Sequence, residues 1–238
     1  MTGTIINIIA VFIGGMLGLL IGSRLPERIR QTVIAGIGLF TAAIGIQMFI
    51  KTENPIVVLG SLLIGGLLGE WWRIEDGLKG LGGYLERRFL KTQVNAEGSR
   101  FIKGFLTASI VFCVGPMTIL GSIQDGLTGD YSLLAIKSVL DGFAALAFAS
   151  TLGVGVLFSI PIILVYQGGL SLLAAQAQAV TTPEMMNEMT AVGGVLLIGI
   201  AVSSLLELKP IRVSNFLPAL FIAPLIVAIL AILGISLN

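Results

Sequence analysis

"TIINIIAVFIGGMLGLLIG", residues 4–22, is nineteen residues long and carries no ionisable side chain. A run of ~18 or more apolar residues spans the ~30 Å hydrocarbon core of a bilayer as one helix. Further runs follow at roughly 32–50, 55–72, 103–123, 131–149, 151–167, 188–207 and 215–236. The chain is 55% hydrophobic and 11% charged over 238 residues, with a mean hydropathy of +1.01. Soluble domains carry roughly 25% charge, and a globular core does not explain so large a deficit. The fold class that follows is all-α: a polytopic helical bundle of about eight spans, organised as a single transmembrane domain. No positive segment precedes the first run, and the first arginine, Arg24, follows it. That order reads as a retained span and not as a cleaved leader.

The basic residues orient the spans. Arg24, Arg28 and Arg30 lie in the first loop. Arg73, Lys79, Arg87, Arg88, Lys91 and Arg100 lie in the third, and Lys209 and Arg212 in the seventh. The positive-inside rule puts these loops in the cytoplasm and both termini outside. An even number of spans between the third and seventh loops is then required, and eight spans supply it. Within the third loop, Ile74, Leu78, Leu81, Leu85 and Phe89 recur at three- and four-residue spacing. That predicts an amphipathic helix over about 73–91, lying on the inner leaflet or solvated. Trp71 and Trp72 suit the interfacial belt.

Glycine recurs at helix-packing intervals. Gly14, Gly18 and Gly22 mark the first span, Ser61, Gly65 and Gly69 the third, and "IGGMLG" (13–18) matches "IGGLLG" (64–69). Small residues let helix backbones approach closely in lipid. They fit packing within the chain or a homodimer. A shift of 158 residues pairs Gly36 with Gly194, Leu39 with Leu197, Ala43 with Ala201 and Lys51 with Lys209, a faint sign of inverted repeats.

Two charges interrupt the fifth run: "AIKSVLDGF" (135–143) places Lys137 and Asp141 one helical turn apart. A charge at the bilayer centre costs about 2.5–3.5 kcal/mol by insertion scales, so such residues face the bundle interior or a wet cavity. The spacing lets the two pair, either as a structural ion pair or as a functional site. In the preceding span, Gly115 and Pro116 predict a helix break that leaves the Phe112 carbonyl free. Thr118 and Ser122 continue toward Gln124 and Asp125, which are expected at an outer mouth. Oxygen ligands without histidine suit a hard cation, sodium or magnesium or manganese, with Asp141 as its ligand. Alternatively, Lys137 and Asp141 hold the carboxylate and amine of an amino-acid-like solute.

The enzyme classes are poorly served. "GLTGD" misses the spacing of intramembrane aspartyl proteases, and Cys113 has no histidine partner in a chain without histidine. Net charge of +1 gives no reason to expect a nucleic-acid partner. No resident cofactor is expected beyond a bound cation.

"GPMTILGSIQDGL", "KSVLDGFAALAFASTLGVG", "NEMTAVGG" and "IRVSNFLPAL" together resemble the YdfK/YqgA-like bacterial membrane proteins, a family of unknown function, over nearly the whole chain. The resemblance implies an inner-membrane protein of about eight spans. "LDGFA" is also similar to the "LDAFA" string of small manganese exporters of the lysine-exporter superfamily, which implies Asp141 as a cation ligand. The expectation is a secondary transporter of a small cation or solute between spans four and five. The alternatives are a non-transporting scaffold or regulator with a structural Lys–Asp pair, and an ion channel.

Overall fold

The computed structural model describes residues 1–22, 26–90, 96–113, 116–176 and 181–234. Among them all regular structure is helical: α1 (Thr2–Gly22), α2 (Glu27–Phe49), α3 (Pro55–Trp72), α4 (Ile74–Leu90), α5 (Ala96–Cys113), α6 (Pro116–Thr128), α7 (Ser132–Leu152), a 3-10 segment (Val154–Ser159) running into α8 (Ile160–Leu172), α9 (Pro183–Ile200) and α10 (Ala219–Ile232). Prolines open α3, α6 and α9, where a missing N–H costs nothing. Asn54 and Thr182 cap α3 and α9 by accepting from the amides of Ile56 and Met185. Arg73 takes the left-handed conformation (φ 52°, ψ 47°) and so separates α3 from α4. The side chains of Leu85 and Phe89 on α4 lie outside the described residues.

Seven helices are long and apolar enough to cross a membrane, and eight segments are if α5 and α6, bent by 59°, form one span. The contacts of the pair's two ends make it one. Phe101 and Gly104 at the start lie against Gly155 and Leu152, the residues just past and at the end of α7. Asp125 near the finish lies against Gly3 at the start of α1. Since α1 and α7 run parallel, with Gly14 on Gly142 and Gly22 on Ser150, the bent pair passes from one end of the bundle to the other.

The chain divides into two compact units, Met1–Gly36 with Lys79–Ala179, and Ile37–Leu78 with Val180–Asn238. The first is a four-span bundle of α1, α5–α6, α7 and α8. Its closest seam is α1 on α7, where a Cβ on Gly14, Gly18 or Gly22 would run into backbone carbonyls of α7. The second unit joins α2, α3, α9 and α10. There Gly65 and Gly69 meet Ala219 and Asn215, while Gly45 and Gly194 pack reciprocally across antiparallel α2 and α9. Both glycine strings are therefore occupied within the chain, and the homodimer interface expected through them is not available on those faces.

The outer surface fits lipid. On α7, Ile136, Val139, Leu140 and Phe143 are 57%, 58%, 57% and 70% exposed, while Lys137, Ser138, Asp141 and Ala145 are buried. This helix turns its apolar stripe outward and its charges inward, the reverse of a soluble helix.

Candidate functional site

The interior of the first unit carries the polar residues. Asp141 lies mid-way along α7, and Lys137, one turn earlier, turns inward and pairs with its Oδ2. The same oxygen accepts from Asn7 Nδ2 of α1 at 3.0 Å. Asn7 Nδ2 also donates to Gln167 Oε1 of α8 at 2.9 Å. Asn7 and Gln167 are fully buried. Asn7 of α1 thus links the Asp141 carboxylate of α7 to Gln167 of α8 in one hydrogen-bonded chain. Donation through both N–H groups fixes the Asn7 amide and leaves its Oδ1 facing the interior.

Several polar atoms here have no protein partner. Asn7 Oδ1, Gln167 Nε2, Thr4 Oγ1, Ser171 Oγ and Asp125 Oδ1 are all buried and unsatisfied. Burying a polar group without a hydrogen bond costs roughly 1–3 kcal/mol, and native interiors contain few such groups unless water or a ligand satisfies them.

The sequence-expected residues scatter around this cluster. Asp125, expected at an outer mouth, is instead 3% exposed; its Oδ2 accepts from the Gly3 amide at 3.1 Å and the Met1 amine at 2.9 Å. A carboxylate at a helix N-terminus complements the helix dipole, which accounts for its burial. Gln124 is half-buried and donates to Asp130, not toward the interior. Asp130 also accepts from the Ser132 hydroxyl and amide, which hold its carboxyl below its ordinary value. Thr118 and Ser122 are buried, but their hydroxyls bond backbone carbonyls of Phe112 and Thr118. The Phe112 carbonyl, expected to be free for a cation, is therefore taken. Gly115 lies outside the described residues, and so does the Pro116 side chain.

Asn7 and Gln167 were missed as site residues, because both lie near ends of apolar runs where interfacial solvation explains a lone amide. Glu188 was passed over likewise. It is fully buried at the start of α9 and gathers the α2–α3 loop, accepting from Thr52 Oγ1 (2.7 Å) and the amides of Glu53 (2.7 Å) and Asn54 (3.0 Å). At the other end of this second unit, Glu70 pairs with Arg212 and accepts from Asn215 Nδ2 at 2.6 Å. These contacts fasten loops. A cavity of about 230 Å³ in the same unit, lined by Leu62, Leu196, Val213 and Phe216 among others, offers no charged group.

The donors suit a divalent cation poorly. Among the described residues no group of three or more His, Cys, Asp or Glu comes together, and the Lys137 ammonium already occupies Asp141 Oδ2.

Apolar helices of spanning length, lipid-facing stripes and a buried polar centre define a polytopic α-helical membrane protein. The chain belongs to the family described as a protein of unknown function, DUF554, whose pattern matches residues 2–228. It is 38% identical over 223 residues to the uncharacterized protein YqgA of Escherichia coli (strain K12), covering 93% of this chain and 94% of that one. It is 29% identical over 239 aligned positions to the uncharacterized membrane protein YdfK of Bacillus subtilis (strain 168), covering 99% of each. No solved structure matches.

Proposed function

We propose that the protein is a secondary transporter of a small ion or solute, and that its binding site is the Asn7–Lys137–Asp141–Gln167 cluster. The observation that carries this is the buried chain Lys137–Asp141–Asn7–Gln167 across α7, α1 and α8, with the Asn7 amide oxygen and the Gln167 amide nitrogen left unbonded. An ion pair kept only for packing is at best neutral against apolar residues of the same volume. Half-satisfied amides next to it add cost. A ligand that completes those bonds offsets both. The Lys137 ammonium favours a monovalent cation exchanged against a proton, or a solute carrying its own carboxylate, over a divalent metal. The site thus sits among spans one, five and six, not between four and five.

In the same reading, the basic loops face the cytoplasm, both termini lie outside, and the bilayer is the bacterial inner membrane. The paired state of Lys137 and Asp141 favours one competitor, a scaffold in which the pair is structural. Thermal unfolding of the purified wild type and Asp141→Asn against Na⁺, K⁺, Mg²⁺, Mn²⁺, Ca²⁺ and amino acids separates the two. A ligand that binds the folded state raises its stability by mass action. The transporter reading expects one ligand class to raise Tm in the wild type and not in Asp141→Asn. No shift with any of them favours the scaffold, while a loss of stability in the variant itself is expected under either reading.

A further inference from the structure

Among the described residues, five of the six unsatisfied buried side-chain atoms, all but Ser109 Oγ, fall in one row. Thr4 and Asn7 lie three residues apart on α1, and Gln167 and Ser171 four apart on α8, so each pair occupies one helix face. The two faces meet, since Asn7 bonds Gln167 and a Cβ on Gly168 would lie 3.9 Å from Thr4 Cγ2. Asp125 closes the line at one end. It bonds the Gly3 amide, and its neighbour Gly126 packs on the Ser171 carbonyl. From Thr4 to Asn7 is about 4.5 Å of helix rise, and from Ser171 to Gln167 about 6 Å. The row therefore reaches from the α1 N-terminal end to the Asp141 carboxylate, with hydroxyl, carboxylate and amide groups at each step.

Beyond Asp141 the character changes. Ala145, one turn further on the same face of α7, is fully buried, as is Val11 of α1. Phe148 follows, packed on Phe112 with ring centroids 6.3 Å apart. Gly14 and Gly18 press α1 onto α7 along this stretch, and Gly15 admits Leu157. Apolar cavities stay dry, whereas polar ones with two to four partners hold water.

We propose that Asp125, Thr4, Ser171, Asn7 and Gln167 line a one-sided hydrated path by which water and protons reach the Asp141–Lys137 pair from the α1 N-terminal end, and that the Phe112–Phe148 contact and the α1–α7 glycine seam close the other side. This deepens the transporter reading, since it makes Asp141 a proton-exchanging group with access from one face in this conformation. Opening the other face requires α1 to part from α7 where the glycines join them.

The test uses the full-length protein in lipid vesicles, with Cys113→Ala as background and single substitutions Thr4→Cys, Asn7→Cys, Ser171→Cys and Ala145→Cys. Infrared spectroscopy follows S–H to S–D exchange after transfer into D2O. Thiols on the path are expected to exchange roughly tenfold or more faster than the thiol at Ala145→Cys, which exchanges only through local opening. A membrane-impermeant methanethiosulfonate is expected to modify Thr4→Cys from one face of oriented vesicles only. If Asn7→Cys fails to fold, Thr4→Cys and Ser171→Cys against Ala145→Cys carry the same contrast. Exchange on the path as slow as at Ala145→Cys, or equally fast at every position, overturns the proposal. Neither readout needs transport, so fast path exchange without any ligand in the thermal panel would retain the path and remove the transporter.

Discussion

Neutralising both members of the central pair should hurt no more than neutralising either one alone. Asp141→Asn leaves the Lys137 ammonium buried, at 6% side-chain exposure, with no opposite charge. Lys137→Met leaves the carboxylate with only the Asn7 amide. Breaking a buried pair from one side costs about 3–5 kcal/mol, and a lone charge at the bilayer centre about 2.5–3.5 kcal/mol. Each single variant should therefore lose about 3 kcal/mol of unfolding free energy. The double variant removes both uncompensated charges and keeps an amide against Asn7, so it should lose no more than either single one. The coupling energy then has a magnitude of at least about 3 kcal/mol, at the upper end for neighbouring residues. The assay is reversible unfolding in mixed micelles of increasing denaturing detergent, followed by far-ultraviolet circular dichroism. Additive losses, with the double variant near ~6 kcal/mol, would mean that the two charges do not sense each other, and the geometry of the site would be refuted.

Other outcomes follow from the packing. Gly14→Ala places a Cβ into the Gly142 carbonyl and should destabilise by about 1–3 kcal/mol. Gly36→Ala meets nothing within 4 Å and should be neutral or stabilise by up to ~1 kcal/mol, both read from the same detergent titration. Glu188→Ala strips acceptors from Thr52, Glu53 and Asn54 and should cost about 1–3 kcal/mol. Faster proteolysis in the α2–α3 loop would report it. Asp130 titrates below its ordinary value because Ser132 bonds its charged form, so its hold on the start of α7 should persist through mild acid and fail only as pH falls through that lowered value. Amide exchange at Ser132 across pH reads this, and unchanged protection in Asp130→Asn would contradict it.

The sequence made the membrane class, the span positions and the pairing of Lys137 with Asp141 readable, because long apolar runs and a four-residue spacing are local signals. Pairing between helices was less readable. Gly14 and Gly65 announced close approach but not its partner, since a small residue accepts any backbone. Asn7 and Gln167 carry no signal of their own, because an amide near a span end is solvated far more often than it is a ligand. Their role depends on α1 and α8 meeting more than a hundred residues apart, a tertiary fact. Asp125 misled for the opposite reason. Its place at the end of α6 suggested solvent, but the α1 N-terminus covers it.

The most direct test of the central claim is flux. Purified wild type and Asp141→Asn would be reconstituted into proteoliposomes containing a pH-sensitive dye. An outward gradient of the ligand that stabilises the wild type in the thermal panel would then be imposed. Ligand-dependent proton movement in the wild type, absent in Asp141→Asn at equal incorporation, is the result expected of a carrier working through this site. Equal movement in both, or none in either while the ligand still binds, would contradict it.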